Sequence, residues 1–308
     1  MKFAVETWSP EYGVSAEEAQ LIEAKGEVNV EIEVPAASWS PLAPKPGTHL
    51  PARILFVDGV RRIDARVWFD DAGISRAGVC ASVAAGSVLT DHREAHVQET
   101  MVVRGMFART SPVAGPIITR HGTYEYFPCA GDTPEDIYLG IHEQMTLVES
   151  KIAAGHDADL VVYDGPLRGR NDTRAVGYVK TQQVQYLPDE QHAMLGKLAP
   201  GERTPLMLIG GRGTKYSWYL RLPGPKSQPM SGVVRCELPG VGTTDAAAAR
   251  ADEISLALPR FASEPHKDSR APQNLYPIAG LENQLRHRLG DQLLLDRALR
   301  RAAAGLEG

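Results

Sequence analysis

Four carboxylates and one lysine stand out in this chain for the chemistry they could do together. The run Arg53-Ile54-Leu55-Phe56-Val57-Asp58-Gly59 is a short apolar stretch that closes on an aspartate and turns on a glycine. About a hundred residues later Asp159-Leu160-Val161-Val162-Tyr163-Asp164-Gly165 repeats the pattern. Two buried strands that each deliver an Asp at the C-terminal tip can bring two carboxylates to one metal. An Asp before a Gly is also an ordinary turn signal, so each residue alone is a weak indication. Two in matching contexts carry more weight.

Helical geometry selects the companions. Thr133-Pro134-Glu135-Asp136 reads as a helix start, with Thr as N-cap and Pro at the first position. Ile137, Ile141, Met145, Val148 and Ile152 then recur at three- and four-residue spacing and form one buried stripe. At roughly 100° per residue Glu143 falls opposite that stripe and Glu149 on its flank. A glutamate at the edge of a buried face destabilises unless it is paired or coordinated, which makes Glu149 the better ligand candidate. On a final helix expected over 278–303, Ile278, Leu281, Leu285, Leu289 and Leu293 share a face. Glu282 lies near that face and His287 nearly opposite.

Carboxylates from separate elements, with few histidines and no cysteine, form a hard oxygen site suited to Mg²⁺ or Mn²⁺. Two such ions can stabilise the attacking and leaving oxygens of a phosphodiester hydrolysis. Lys180, on the strand after Asp164, is placed to neutralise a scissile phosphate.

The elements around these residues read as an α/β chain. Residues 1–50 hold an acidic helical patch in which Ser15 and Glu18 make a capping box, an alternating strand over 28–34 and a Pro-rich connector. They read as an arm for subunit or partner contact, and 51–308 as the domain it precedes. From Arg53 to Val103 strands follow one another, with Asp58 to Arg62 as a tight hairpin. Residues 111–135 read as a loop with one short strand. Strands over 175–180, 201–209, 216–222 and 232–238, a helix over 188–198 and an Ala-rich helix over 244–258 follow. Gly210 to Lys215 is glycine-rich, but it lacks the GxxxxGK[ST] spacing and lies between strands, so it reads as a hairpin.

Bulk properties narrow the classes. The 308 residues, 43% hydrophobic and 23% charged, are those of a soluble globular chain, and no apolar run approaches the roughly 18 residues of a membrane span. The N-terminus lacks the apolar core of a signal peptide, which makes the cytoplasm the default. Cys80, Cys129 and Cys236 are odd in number and unpaired in spacing, fitting neither a disulfide framework nor a zinc site. With a net charge of −5, positive charge for a nucleic-acid partner must be local, in a groove or near a site.

Taken in order, these motifs resemble the NurA family of DNA-end-processing nucleases. The resemblance runs through Phe56-Val57-Asp58-Gly59, Leu147-Val148-Glu149 and Val161 to Leu167. It continues through Gly177-Tyr178-Val179-Lys180, Gly201 to Pro205, Ser217 to Leu222 and Tyr276-Pro277, covering about residues 50–300. It implies an RNase H-like fold, a mixed central sheet flanked by helices, with carboxylate-bound metal, usually Mn²⁺. It also implies a homodimer acting with the hexameric HerA ATPase as 5′–3′ exonuclease and single-strand endonuclease. By position Asp58, Glu149 and Asp164 match the family's acidic ligands, and Tyr276 matches its tyrosine near the C-terminus. The family's histidine after the Tyr-Pro pair is missing here. Glu282 comes two places early and His287 three late, with His266 a third option for the fourth ligand. A catalytically silent, DNA-binding or regulatory subunit of a HerA-type ATPase, in phage defence for example, is the alternative of another class. A different RNase H-like phosphotransferase, such as an RNase or an Argonaute-related nuclease, is the third.

Overall fold

The apolar, β-branched run that begins at Arg53 does not stop at Asp58. The computed structural model describes residues 3–5, 27–71, 73–91, 94–110, 115–180, 185–211, 213–225 and 229–305. The strands are β1 (Phe3–Val5), β2 (Val28–Asn29), β3 (Arg53–Asp71), β4 (Ile74–Asp91), β5 (Glu94–Ala108), β6 (Ile117–Thr119) and β7 (Gly122–Pro128). Helix α1 (Pro134–Ala154) leads to β8 (Leu160–Asp164) and β9 (Ala175–Val179). Helix α2 (Asp189–Met194), strands β10 (Met207–Ile209), β11 (Lys215–Arg221) and β12 (Val233–Pro239), and helices α3 (Thr244–Ala257), α4 (Tyr276–Arg288) and α5 (Gln292–Ala303) complete the order.

All the described strands join one mixed sheet in the order β2-β10-β11-β12-β9-β8-β3-β4-β5-β7-β6, with β1 on the far part of β3. Strands β3, β4 and β5 are long antiparallel partners, whereas β8 runs parallel to β3 and β9 parallel to β8. One face packs against α1 through Ile137, Ile141 and Met145 on Val79, Ala81 and Val83. The other buries Phe56, Val162 and Trp218 under α3 and α4. None of the described helices is long and apolar enough to cross a membrane.

Several sequence expectations are corrected. Asp58 to Arg62 is not a hairpin: Asp58 lies opposite Gly86 and Val60 opposite Ala84 in an unbroken ladder. The apolar alternation continues past Gly59, and the turn comes at Gly73, which has a φ of 86° and donates its N–H to the Asp70 carboxylate at 3.0 Å. Residues 117–128 form two strands rather than one. The strand expected over 28–34 ends at Asn29, because Glu33 turns away to meet Arg203 at 2.8 Å. Residues 27–50, expected as an arm, are stitched into the sheet by that ion pair and by β2 against β10. The Ser15–Glu18 capping box lies outside the described residues.

The last helix is two. Gly290, at a φ of 79°, ends α4 and the Asp291 side chain caps α5, accepting from Leu294 N–H at 2.9 Å. The break rotates Leu293 out to 75% exposure, and Leu295, Ala298 and Leu299 are buried in its place. The start of α1 is as expected, with Thr133 and Asp136 exchanging capping hydrogen bonds.

Candidate active site

The site forms where β8 stops beside β3. The parallel register sets Val57 opposite Tyr163, so Asp58 and Asp164 are the next residues on adjacent strands. Side chains alternate along a strand, and Ile54, Phe56, Leu160 and Val162 all belong to the core under α4. Asp58 and Asp164 therefore project toward the same face. A strand need not end to present a carboxylate at a cleft when its neighbour ends instead. Gly165, with a φ of 108°, then turns the chain away, and the ladder beside Asp58 is left open.

Asp164 is answered by Lys180, whose Nζ donates to Oδ2 at 2.7 Å and to Asn274 Oδ1 at 2.7 Å. Among the described residues Asp58 is answered only by a backbone donor, the Gly59 N–H at 2.8 Å. It is 6% exposed. Burial, with Asp164 and Glu149 nearby, pushes the Asp58 carboxyl well above the usual carboxylate range against the pull of Lys180. Burial likewise raises Asp164, Lys180 notwithstanding.

Glu149 reaches the site from the opposite face. The stripe of α1 buries it, and its carboxylate lies directly over Gly59, where a Cβ would collide with Oε1 and meet Met145 Cγ at 2.9 Å. The glycine thus serves close approach rather than a turn. Arg170, in the loop after β8, binds the Glu149 carboxylate and stacks over Tyr163 at 4.1 Å. Burial still holds the Glu149 carboxyl above its ordinary value. Glu143 is exposed.

Helix α4 comes close because its Leu281 packs over Gly86, where a Cβ would stand 3.0 Å from the leucine methyl. It carries Glu282 to the same cavity, but Glu282 is held by Arg270 at 2.7 Å and Arg286 at 2.8 Å. Burial works to raise its carboxyl, and the two guanidinium groups bring it below the usual range. The structure does not bring His287 or His266 here: His287 is exposed on α4, and His266 faces Glu264 in an exposed loop. Tyr276 opens α4 and lines a separate, more apolar cleft of about 350 Å³ with Leu50, Ile54 and Phe261.

Asp58, Gly59, Arg61, Met145, Asp164, Arg270, Glu282 and Arg286 line an open cavity of about 210 Å³. Among the described residues, no three carboxylate, imidazole or thiol groups are gathered closely enough to hold one ion directly. Glu149 and Glu282 are each engaged by arginine. Asp58 and Asp164 fit a hard divalent cation: both are oxygen donors, they share a face, and Asp58 is a buried carboxylate that forms no ion pair among the described residues. The arginines were not apparent from the sequence. Arg170 and Arg270 pair with Glu149 and Glu282 across loops, where no periodicity marks an ion pair, although Arg286 stands at the helical i,i+4 spacing from Glu282.

In comparison with known proteins, residues 136–285 match the model of the NurA domain. No protein of curated function is a significant match in sequence. Among solved structures, the NurA nuclease from Sulfolobus solfataricus aligns over 82% of this chain and 84% of its own, at 12% identity and a TM-score of 0.49. The catalytic domain of human Endonuclease V aligns over 94% and 95%, at 16% identity and a TM-score of 0.33. Endonuclease V from Bacillus subtilis aligns over 77% and 80%, at 13% identity and a TM-score of 0.33. Likenesses this loose assign no residue of the site.

Proposed function

We propose that this chain, which belongs to the NurA family through residues 136–285, is a metal-dependent DNA nuclease of RNase H-like fold. The observation that carries the reading is the pair Asp58 and Asp164 on adjacent parallel strands, facing one cavity with Glu149 beside them. Asp58 and Asp164 would hold Mn²⁺ or Mg²⁺, and Glu149 would join them on leaving Arg170. When bound, the metal would activate water and polarise a phosphodiester. Lys180 sits against Asp164, where its ammonium can meet a phosphate oxygen once the carboxylate is shared. Arg270 and Arg286, on the cavity's other wall, supply charge for the phosphates on either side. Glu282 is the candidate fourth ligand of this reading, and Tyr276 a site residue contributing from the neighbouring cleft. Action as a 5′–3′ exonuclease and single-strand endonuclease, as a homodimer with a HerA-type ATPase in the cytoplasm, belongs to the same proposal.

The test is cleavage of end-labelled single- and double-stranded DNA in Mn²⁺, Mg²⁺ and EDTA, with and without a HerA-type ATPase. Wild type is expected to cut in metal and not in EDTA, and Asp58→Ala and Asp164→Ala to lose at least a hundredfold. Intact DNA under every condition would refute the reading and favour the silent subunit, which binds DNA without cutting it.

A further inference from the structure

Arginines in this chain are commonly answered by carboxylates: Arg53 by Asp157, Arg62 by Asp64, Arg76 by Asp132, Arg174 by Asp172. Arg61 and Arg168 differ. Arg61 Nη2 donates to the Tyr138 hydroxyl at 2.5 Å, and its guanidinium lies 4.4 Å over the Tyr138 ring. Arg168 Nη1 donates to His142 Nδ1 at 2.7 Å. Neither forms an ion pair among the described residues. Tyr138 and His142 are one turn apart on α1 with ring centroids 4.5 Å apart, so one aromatic pair carries two guanidinium groups.

The His142 ring adds no charge to answer them or to repel. Its Nδ1 accepts from Arg168, and burial, with Arg61 and Arg168 beside it, holds its pKa down to about 3. Each arginine spends one N–H on a neutral acceptor and keeps the rest of its fork. Arg168 is exposed and held at a φ of 49°, a conformation that glycine adopts more readily than any long side chain. Its backbone therefore gives no reason for an arginine there. Arg61 lines the same cavity as Asp58 and Asp164. Two guanidinium groups outside any ion pair among the described residues, Arg61 on the wall of that cavity and Arg168 within the field of Glu149, are, in a chain of net charge −5, local positive charge of the kind a phosphate backbone needs.

We infer that Arg61 and Arg168 form a clamp for a backbone phosphodiester of single-stranded DNA, next to the bond lying over Asp58 and Asp164, with Tyr138 and His142 as positioning residues. This rests on the nuclease reading for its substrate. Its test is fluorescence anisotropy of a labelled single-stranded DNA oligonucleotide in EDTA, which removes cleavage from the readout. Arg61→Gln and Arg168→Gly are each expected to weaken binding by about three- to tenfold and to make the salt dependence shallower by about one phosphate contact. Arg53→Gln, at the carboxylate-paired Arg53, is expected to leave both unchanged. Arg168→Gly should melt no lower than wild type, since glycine accepts the φ, which separates lost contact from lost fold. His142→Gln, whose amide oxygen can accept from Arg168, should recover the binding lost in His142→Ala. A double Arg61→Gln, Arg168→Gly variant that binds with wild-type affinity and salt slope would overturn the clamp, as would wild type that binds no oligonucleotide at low salt. Binding that depends on the two arginines without cleavage in any metal would retain the clamp and discard the nuclease reading. Cleavage by wild type with undiminished binding by the double variant would do the reverse.

Discussion

Replacing Asp58 by asparagine is expected to make the protein more stable while abolishing cleavage. The carboxylate is almost fully buried, receives one backbone hydrogen bond, and faces Asp164 from an adjacent strand. Adjacent strands lie about 5 Å apart, and two unit charges at that distance repel by about 3 kcal/mol at an effective dielectric near 20. Lys180 attracts Asp58 as well and offsets part of this, which leaves about 1 to 2 kcal/mol gained on neutralisation. For a chain of this length that corresponds to a rise in Tm of about 2 to 4 °C. The pH dependence has a definite sign. A carboxyl whose folded pKa lies above its unfolded value destabilises the fold when charged, and the penalty disappears as pH falls through the folded pKa toward the ordinary 3.8. The advantage of Asp58→Asn over wild type should therefore be largest at neutral pH and shrink on acidification. Thermal melts of both proteins across that range measure it. An Asp58→Asn protein less stable than wild type at neutral pH, or a difference that does not change with pH, would refute the electrostatic account of the site.

Gly59→Ala places a methyl against the Glu149 carboxylate and Met145, and overpacking of this kind costs about 1 to 3 kcal/mol. Chemical denaturation should show that loss, and Gly59→Ala should also cleave more slowly than wild type. Arg203→Met removes the shared partner of Glu33 and Asp252, which sit 2.8 and 2.7 Å from a guanidinium that is 1% exposed. Leaving two carboxylates unanswered should cost about 3 to 5 kcal/mol, read as a lowered denaturation midpoint. Glu282→Gln separates a ligand from a structural acid: if Glu282 holds the ion, the apparent Mn²⁺ requirement in the cleavage assay rises at least tenfold. His287→Ala should leave it unchanged. The folded-state pKa of Glu282 is depressed, so its stabilising contribution is present above the ordinary carboxylate range and lost as pH falls through the depressed value. Glu282→Gln should accordingly lose its stability deficit in acid.

The helix that carries Glu149 was legible because its information is local. A capping threonine, a proline at the first turn and a 3.6-residue apolar period specify both its start and its buried face. Asp164 was legible for the same reason, as the end of a short apolar run bounded by glycine. Asp58 was harder, since Asp-Gly signals a turn locally. What keeps β3 extended is its pairing with β4 on one side and with β8 and β1 on the other, which no window of sequence contains. The break between α4 and α5 left a trace in Gly290-Asp291, a terminating glycine followed by a capping aspartate, but the evenly spaced leucines obscured it. Arg286 stands one turn after Glu282, at the i,i+4 spacing of a helical ion pair, whereas Arg170 and Arg270 left no trace, because an ion pair between residues 12 or 21 positions apart obeys no period.

Strand β3 carries one extra residue, Asp64, between Ile63 opposite Ala81 and Ala65 opposite Cys80. The bulge shifts the alternation, so that Ile54, Phe56 and Val60 pack in the core that holds α4, whereas Ala65, Val67 and Phe69 pack with Leu299 of α5. The Asp64 carboxylate is fully buried and is gripped by Arg62, Ser82 and Tyr124. Arg62 reaches on to the carbonyls of Leu289 and Gly290 at the break between α4 and α5. In mechanical terms this is a riveted joint. A strand long enough to act as a lever is pinned near its middle, and the same rivet fastens the end of α4. A disturbance at the β1 end of β3 therefore meets a fixed point before it reaches Asp58, and the spacing between Asp58 and the helix bearing Glu282 is set there.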